Sequence, residues 1–143
     1  MTNFLADVNV WVALTVVEHV HHAAAREWFE EPDTQLAAFC RVTQHGLLRL
    51  LSNSKVMGND ALTASRAWNI YDALLEHSRV FLVPEPAELE SHWREGTRHH
   101  TTGPNFWTDA FLRAFAAAGG YTIVTFDRGF TRQRQARVHL LKP

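Results

Sequence analysis

The sequence predicts an α/β fold, a mostly parallel central sheet with helices on both faces, formed as one domain over residues 1–143. Three observations predict it. Short β-branched or aromatic runs alternate along the whole chain with longer stretches of helical apolar spacing. The 143 residues are 46% hydrophobic and include five Trp and nine Phe, enough for a core without staples. No internal repeat, low-complexity tract or linker divides them.

Taken in order, Asn3 to Ala6 reads as a short buried strand, followed by a helical pattern through Val10, Trp11, Ala13 and Leu14. A second helix runs roughly from His21 to Phe29 and stops at Glu30-Glu31-Pro32-Asp33. Gln35 to Phe39 is the next strand. Val42, Leu47, Leu48, Leu50 and Leu51 then follow helical spacing until Ser52-Asn53-Ser54. Asn59-Asp60 precedes a longer helix with an apolar stripe of Leu62, Trp68, Ile70, Tyr71, Leu74 and Leu75. Arg79 to Val83 is a strand closed by Pro84-Glu85-Pro86, and Leu89 and Trp93 mark a polar helix. His99 to Pro104 reads as a loop. Phe106 to Ala118 is strongly helical and ends at Gly119-Gly120. Tyr121 to Phe126 is a β-branched and aromatic strand, and Val138 to Leu141 is a further one at the sheet edge.

Composition narrows the setting. The single cysteine, Cys40, excludes an internal disulfide and a cysteine-rich zinc site and fits a reducing, cytoplasmic compartment. The first seven residues lack the basic start and long apolar stretch of a signal peptide, and no apolar run is long enough to span a bilayer. The formal net charge of −1 does not mark the whole molecule as a polyanion binder. The segment from Arg128 to Pro143, however, carries Arg128, Arg132, Arg134, Arg137 and Lys142 with no acidic residue. Arginine is the better planar partner for phosphate, so this tail is either a nucleic-acid contact or a solvated edge.

Three aspartates carry the functional reading. Asp7 follows Phe4-Leu5-Ala6 and Asp127 follows Ile123-Val124-Thr125-Phe126, so both emerge where a buried parallel strand reaches the surface. In an open α/β sheet, that edge holds the ligand. Asp109 comes from the start of a helix, and all three converge if that helix begins at the same edge. Two unit charges about 4 Å apart repel by roughly 4 kcal/mol at an effective dielectric near 20, so clustered carboxylates are costly without a cation. Hard oxygen ligands with no cysteine or histidine motif favour Mg²⁺ or Mn²⁺ over zinc. Such an ion suits phosphodiester hydrolysis. Each aspartate also has an ordinary structural reading: Asp7 with Asn9 as an Asx turn, Asp109 serving its helix dipole, and Asp127-Arg128-Gly129 as a turn. Their joint placement favours the functional one.

Asp7-Val8-Asn9 after the opening strand, the helix Phe106-Trp107-Thr108-Asp109-Ala110-Phe111-Leu112, and Val124-Thr125-Phe126-Asp127-Arg128-Gly129-Phe130 together resemble the PIN-domain fold. Their order and the chain length are most similar to the VapC toxin ribonucleases. The resemblance covers nearly the whole chain. It implies a three-layer α/β/α sandwich, a Mg²⁺-dependent endoribonuclease with Mn²⁺ as a possible substitute, a homodimer, and inhibition by a cognate VapB-type antitoxin. By position it makes Asp7, Asp109 and Asp127 the catalytic and metal-site acids. Asn9 becomes the polar group holding the Asp7 loop, and Thr125 a hydrogen-bond partner for a carboxylate or a water.

One departure stands out. The family pattern has a glutamate at the start of the third helix, whereas Arg41-Val42-Thr43-Gln44-His45 stands here, with Gln44 at the matching position. Glutamine offers a carbonyl oxygen but no charge. Gln44 is therefore either a weaker member of the site or a polar residue at a helix start.

His19, His21 and His22 match no metal-binding spacing, and His99-His100 precedes Asp109 in a loop expected to be solvated. Trp11, Trp28, Trp68 and Trp93 are expected in core or dimer packing, and Trp107 in packing beneath the site. Arg128 and Arg132, just after Asp127, are the expected RNA-phosphate contacts. The expected activity is RNA hydrolysis leaving a 5′ phosphate and a 3′ hydroxyl. The rivals are a PIN-fold RNA-binding or interaction module without hydrolysis, and a metal-dependent DNA nuclease.

Overall fold

β1 (Thr2–Ala6) runs through the middle of the sheet, flanked by β2 (Thr34–Phe39) and β4 (Thr122–Thr125), with β3 (Val80–Leu82) and β5 (Arg137–Leu140) outermost. The computed structural model describes residues 2–99, 103–132 and 135–143. All four pairings are parallel and the order is β3-β2-β1-β4-β5. The chain winds outward through β2 and β3, then crosses to β4 and β5 on the other side. Strand order therefore reverses between β1 and β4, the switch point where an open sheet parts its crossover helices and leaves a crevice.

The helices are α1 (Val8–Thr15), α2 (His22–Glu30), α3 (Arg41–Leu51), α4 (Ser54–Met57), α5 (Ala64–Leu75), α6 (Leu89–Thr97) and α7 (Phe106–Gly119). Alternation along the strands assigns them to two layers. Phe4 and Ala6 of β1, Ala37 and Phe39 of β2 and Val124 of β4 join the core under α1, α2, α3 and α5. Leu5, Ala38 and Ile123 face the other way, onto α6 and α7. Trp11 is fully buried and stacks on Phe39 with ring centroids 3.9 Å apart. That contact locks α1 over the central strands. No helix among the described residues is long and apolar enough to cross a membrane.

The α/β/α arrangement matches the sequence expectation, and the sheet is wholly parallel. Two features escaped the pattern: the single turn α4 with its following 3-10 turn Gly58–Asp60, and the 3-10 turn Arg128–Arg132. Neither α4 nor its neighbour buries a residue, so no apolar period marks them. Trp11 and Trp28 lie in the core as expected, whereas Trp68 is 47% exposed. Trp107, expected beneath the site, is 56% exposed and meets Trp93 edge to face at 6.1 Å. Residues two apart on a helix point about 200° apart, so Trp107 and Asp109 occupy different faces of α7.

Gly46 sets the approach of α3 to α1, since a Cβ there would lie 2.5 Å from Val8 Cγ2, and Val8 follows Asp7 directly. Gly46→Ala gains roughly 1 kcal/mol of helix propensity but overpacks a stiff β-branched neighbour, at a cost of about 1–3 kcal/mol. The expected result is a lower urea midpoint with unchanged slope. A raised midpoint would mean that Val8 yields freely.

Candidate active site

The crevice at the β1/β4 switch point is built around one hydroxyl. Asp7 follows the last residue of β1 and caps α1; its N–H donates to the Val124 carbonyl at 2.9 Å, continuing the ladder. Its carboxylate accepts from the Val8 N–H through Oδ1 and from the Thr125 hydroxyl through Oδ2, each at 2.8 Å. Thr125, wholly buried at the end of β4, also accepts from Asn9 Nδ2 at 3.3 Å and from the Asp127 N–H at 3.0 Å. One donor and two acceptor positions exhaust a threonine hydroxyl. Asn9 Oδ1 takes the Phe126 N–H at 3.3 Å, a second tie between α1 and the end of β4.

Asp127 lies at the surface, where its Oδ1 accepts the Gly129 N–H at 2.8 Å. Asp109 projects from the first turn of α7, its N–H bonded to the Asn105 carbonyl at 3.0 Å. The cap and turn read from sequence for Asp7 and Asp127 are thus present, and the same carboxylates also share a field. Burial, then the charges of Asp7 and Asp127, push the Asp109 carboxyl up to about 6, against the opposing pull of Arg113. Burial likewise raises Asp7, with Asp127 adding to it, while the Thr125 hydroxyl and Val8 N–H hold it down. The topology has brought together three acids, and the charge of Asp127 helps to raise both Asp7 and Asp109.

Asn9 and Thr125 therefore join the Asp7 corner, but Gln44 does not hydrogen-bond any of the aspartates among the described residues. It is buried at the start of α3, where its Oε1 accepts from Arg41 Nη1 at 2.7 Å, beside the Tyr71 hydroxyl. Arg128 and Arg132 sit exposed on the 3-10 turn after Asp127. Arg134 and His100 lie outside the described residues. His19, His21 and His22 form no metal cage: the His22 Nδ1 lies 2.8 Å from the Ala13 carbonyl, the His19 Nδ1 accepts the His21 N–H, and His21 stacks on Phe126. Among the described residues, no three acidic, histidine or cysteine side chains stand close enough to enclose an ion by themselves.

Sequence reasoning missed Arg113. It is buried in α7 one turn after Asp109, over the Phe130 ring, and its charge interacts with Asp109 and Asp127. The four-residue spacing from Asp109 was the available signal.

The profile of the PIN domain matches residues 4–135. Among curated proteins, the chain is 41% identical over 142 residues to Ribonuclease VapC41 of Mycobacterium tuberculosis, covering 96% of this chain and 97% of that protein. It is 36% identical to Ribonuclease VapC38 of the same species, covering 92% and 90%. Among solved structures, VapBC2 from Rickettsia felis bound to a promoter DNA fragment superposes with TM-score 0.69 at 16% identity, over 99% of this chain and 100% of that one. The sarcin-ricin loop cleaving toxin VapC20 of M. tuberculosis superposes with TM-score 0.68 at 19% identity, over 94% and 99%. At such identities the structural matches speak for the fold.

Proposed function

We propose, since the chain belongs to the PIN-domain family and within it to the VapC group, that it is the toxin of a type II toxin–antitoxin pair. It is a Mg²⁺-dependent endoribonuclease acting on RNA phosphodiester bonds, inhibited by a cognate VapB-type antitoxin. The observation that carries this reading is the set of three mutually repelling carboxylates at the sheet's switch point, with Asp109 raised to about 6. Such a set is poorly stable alone and fits a hard divalent cation. Because the acids do not close around an ion by themselves, the fit is to Mg²⁺, which keeps several waters and takes few carboxylates plus substrate phosphate, with Mn²⁺ as substitute.

Asp7, Asp109 and Asp127 would hold the ion, which when bound supplies charge neutralisation and a more acidic water. Thr125 and Asn9 fix the Asp7 carboxylate against β4, and Arg128 and Arg132 offer flanking contacts to RNA phosphates. In the hydrolysis a water oxygen bonds to phosphorus in line with the P–O3′ bond, which breaks. One proton of that water ends on O3′ and the other on the new phosphate or in solvent, so the products are a 5′ phosphate and a 3′ hydroxyl. An acidic crevice also suits an antitoxin arginine as inhibitor, by charge-assisted hydrogen bonding. We place the protein in the cytoplasm as a homodimer of one domain per chain.

One observation favours a second reading, an RNA-binding module without hydrolysis: Gln44 brings no charge and is engaged by Arg41. Incubating purified protein with total bacterial RNA, and with matched RNA and DNA oligonucleotides, in Mg²⁺, Mn²⁺ or EDTA separates the readings. The expected result is discrete RNA fragments that EDTA abolishes. Salt-sensitive RNA retention without products supports the second reading, and cleavage of the DNA instead identifies a DNA nuclease.

A further inference from the structure

Among the described residues, Arg113 is a buried cation without a hydrogen-bond or ion-pair partner. It is 5% exposed, in a helix that is apolar from Ala110 to Ala118 apart from itself. Its Nε has no hydrogen-bond partner, and among the described residues no carboxylate reaches ion-pair distance of its guanidinium. The Phe130 ring, its centroid 5.4 Å from the guanidinium carbon, supports one face of the group. A ring offsets only a small part of what it costs to take a cation out of water. A purely structural buried arginine would be expected to satisfy its planar fork on a carboxylate or on carbonyls.

Its surroundings indicate what is missing. Arg113 lies one turn from Asp109 on the same face of α7, and its charge is felt by Asp109 and Asp127, yet it touches neither. The guanidinium and the carboxylates thus interact from beyond ion-pair distance. An oxyanion whose negative charge meets the guanidinium, and whose other side meets a cation held by the acids, fits that separation chemically.

We propose that Arg113 is a catalytic residue whose terminal N–H groups donate to a non-bridging oxygen of the scissile phosphate. This rests on the ribonuclease reading above. The donor is preorganised by Phe130 and stabilises the charge that builds on the phosphoryl oxygens as the water oxygen adds and the P–O3′ bond breaks. It also offsets the repulsion that an RNA phosphate meets on approaching three carboxylates.

The full-length chain and its Arg113→Met, Arg113→Lys and Arg113→Ala variants test this with a mixed-sequence RNA 20-mer. Single-turnover cleavage in Mg²⁺, anisotropy binding in Ca²⁺, Mn²⁺ binding by electron paramagnetic resonance and thermal melting are measured on each. Methionine is expected to slow cleavage roughly 10²- to 10³-fold and weaken RNA binding about tenfold. Mn²⁺ binding is expected to be retained and the melting temperature unchanged or raised, because an unpaired buried charge has been removed. Lysine should recover part of the rate, and millimolar guanidinium should partly rescue the alanine variant. Arg113→Met cleavage within about threefold of wild type overturns the proposal while leaving the ribonuclease reading standing. So does a loss of rate accompanied by a lowered melting temperature and unchanged RNA affinity, which marks a structural arginine. If the wild type binds but cuts nothing, the ribonuclease reading fails instead. The binding arm then decides the phosphate contact alone: equal affinity of wild type and methionine variant overturns it.

Discussion

Asp109→Asn is expected to lower RNA cleavage by about 10³-fold or more and, at the same time, to make the metal-free protein more stable. The two effects have one cause. In the folded chain the Asp109 carboxyl is raised from 3.8 to about 6 by burial and by the charges of Asp7 and Asp127. A group raised in the folded state binds its proton more tightly there than in the unfolded chain. Its contribution to stability is complete below about pH 4 and is lost as pH rises through about 6. Asparagine resembles the protonated acid at every pH, so the variant keeps what the wild type loses. At pH 7.5 the difference should be about 1–2 kcal/mol after allowance for solvent screening at a partly exposed carboxylate, a rise of several degrees in melting temperature. Adding Mg²⁺ or Mn²⁺ should reverse the ranking, because a ligand of the folded state alone stabilises the wild type by mass action and finds a poorer site in the variant. Calorimetric melts of both proteins at pH 4.5 and 7.5, with EDTA and with metal, decide it. A variant less stable than wild type in EDTA at pH 7.5, or one with an equal metal-induced shift, would sink the assignment of Asp109 to a cation site.

The same centre shows which parts of the fold are readable from sequence. Periodicity alone places Asp7 and Asp127 at strand ends, because Phe4-Leu5-Ala6 and Ile123 to Phe126 are short apolar runs broken by a charge. The structure puts those ends side by side, with Ala6 paired to Val124. The partnership of Asn9 with Thr125 spans 116 residues, and no local pattern encodes it; the family resemblance set Asn9 at the Asp7 loop and Thr125 beside a carboxylate or a water, but did not pair the two. Gln44 shows the limit of such transfer. Its position at the start of α3 follows the pattern, but its side chain is held by Arg41, a pairing that an aligned motif does not specify. Arg113 was hidden for a different reason. A lone arginine in an apolar helix reads as a snorkelling surface residue until burial is known. Trp107 was misassigned because neighbourhood in sequence was taken for neighbourhood in space.

Thr125→Val is the second large effect, and it separates a positioning group from a packing one. Valine has the same branched shape and suits a strand, so β4 should form as before. The lost hydroxyl leaves the Asp7 carboxylate with only its Val8 N–H donor, and an Asp127 N–H and an Asn9 amide without their acceptor. Loss of a hydrogen bond to a charged group costs roughly 1.5–3 kcal/mol, so the variant should lose about 2–4 kcal/mol at neutral pH. The loss should shrink in acid. The Thr125 hydroxyl is the largest influence holding the Asp7 carboxyl down, and without it that carboxyl rises further. A folded-state value raised further above the unfolded one contributes stability at low pH that disappears as pH climbs. The difference between wild type and variant should therefore narrow below about pH 4 and widen above it, while the part owed to the Asp127 N–H and the Asn9 amide persists at every pH. Cleavage should fall by about 10²-fold or more at pH 7, and the acid limb of its pH profile should move upward. Thr125→Ser, which keeps the hydroxyl, should restore the wild-type limb. A valine variant that retains both its pH profile and most of its rate would reduce Thr125 to a core residue. The ordering of Asp7 would then rest on the Val8 N–H alone.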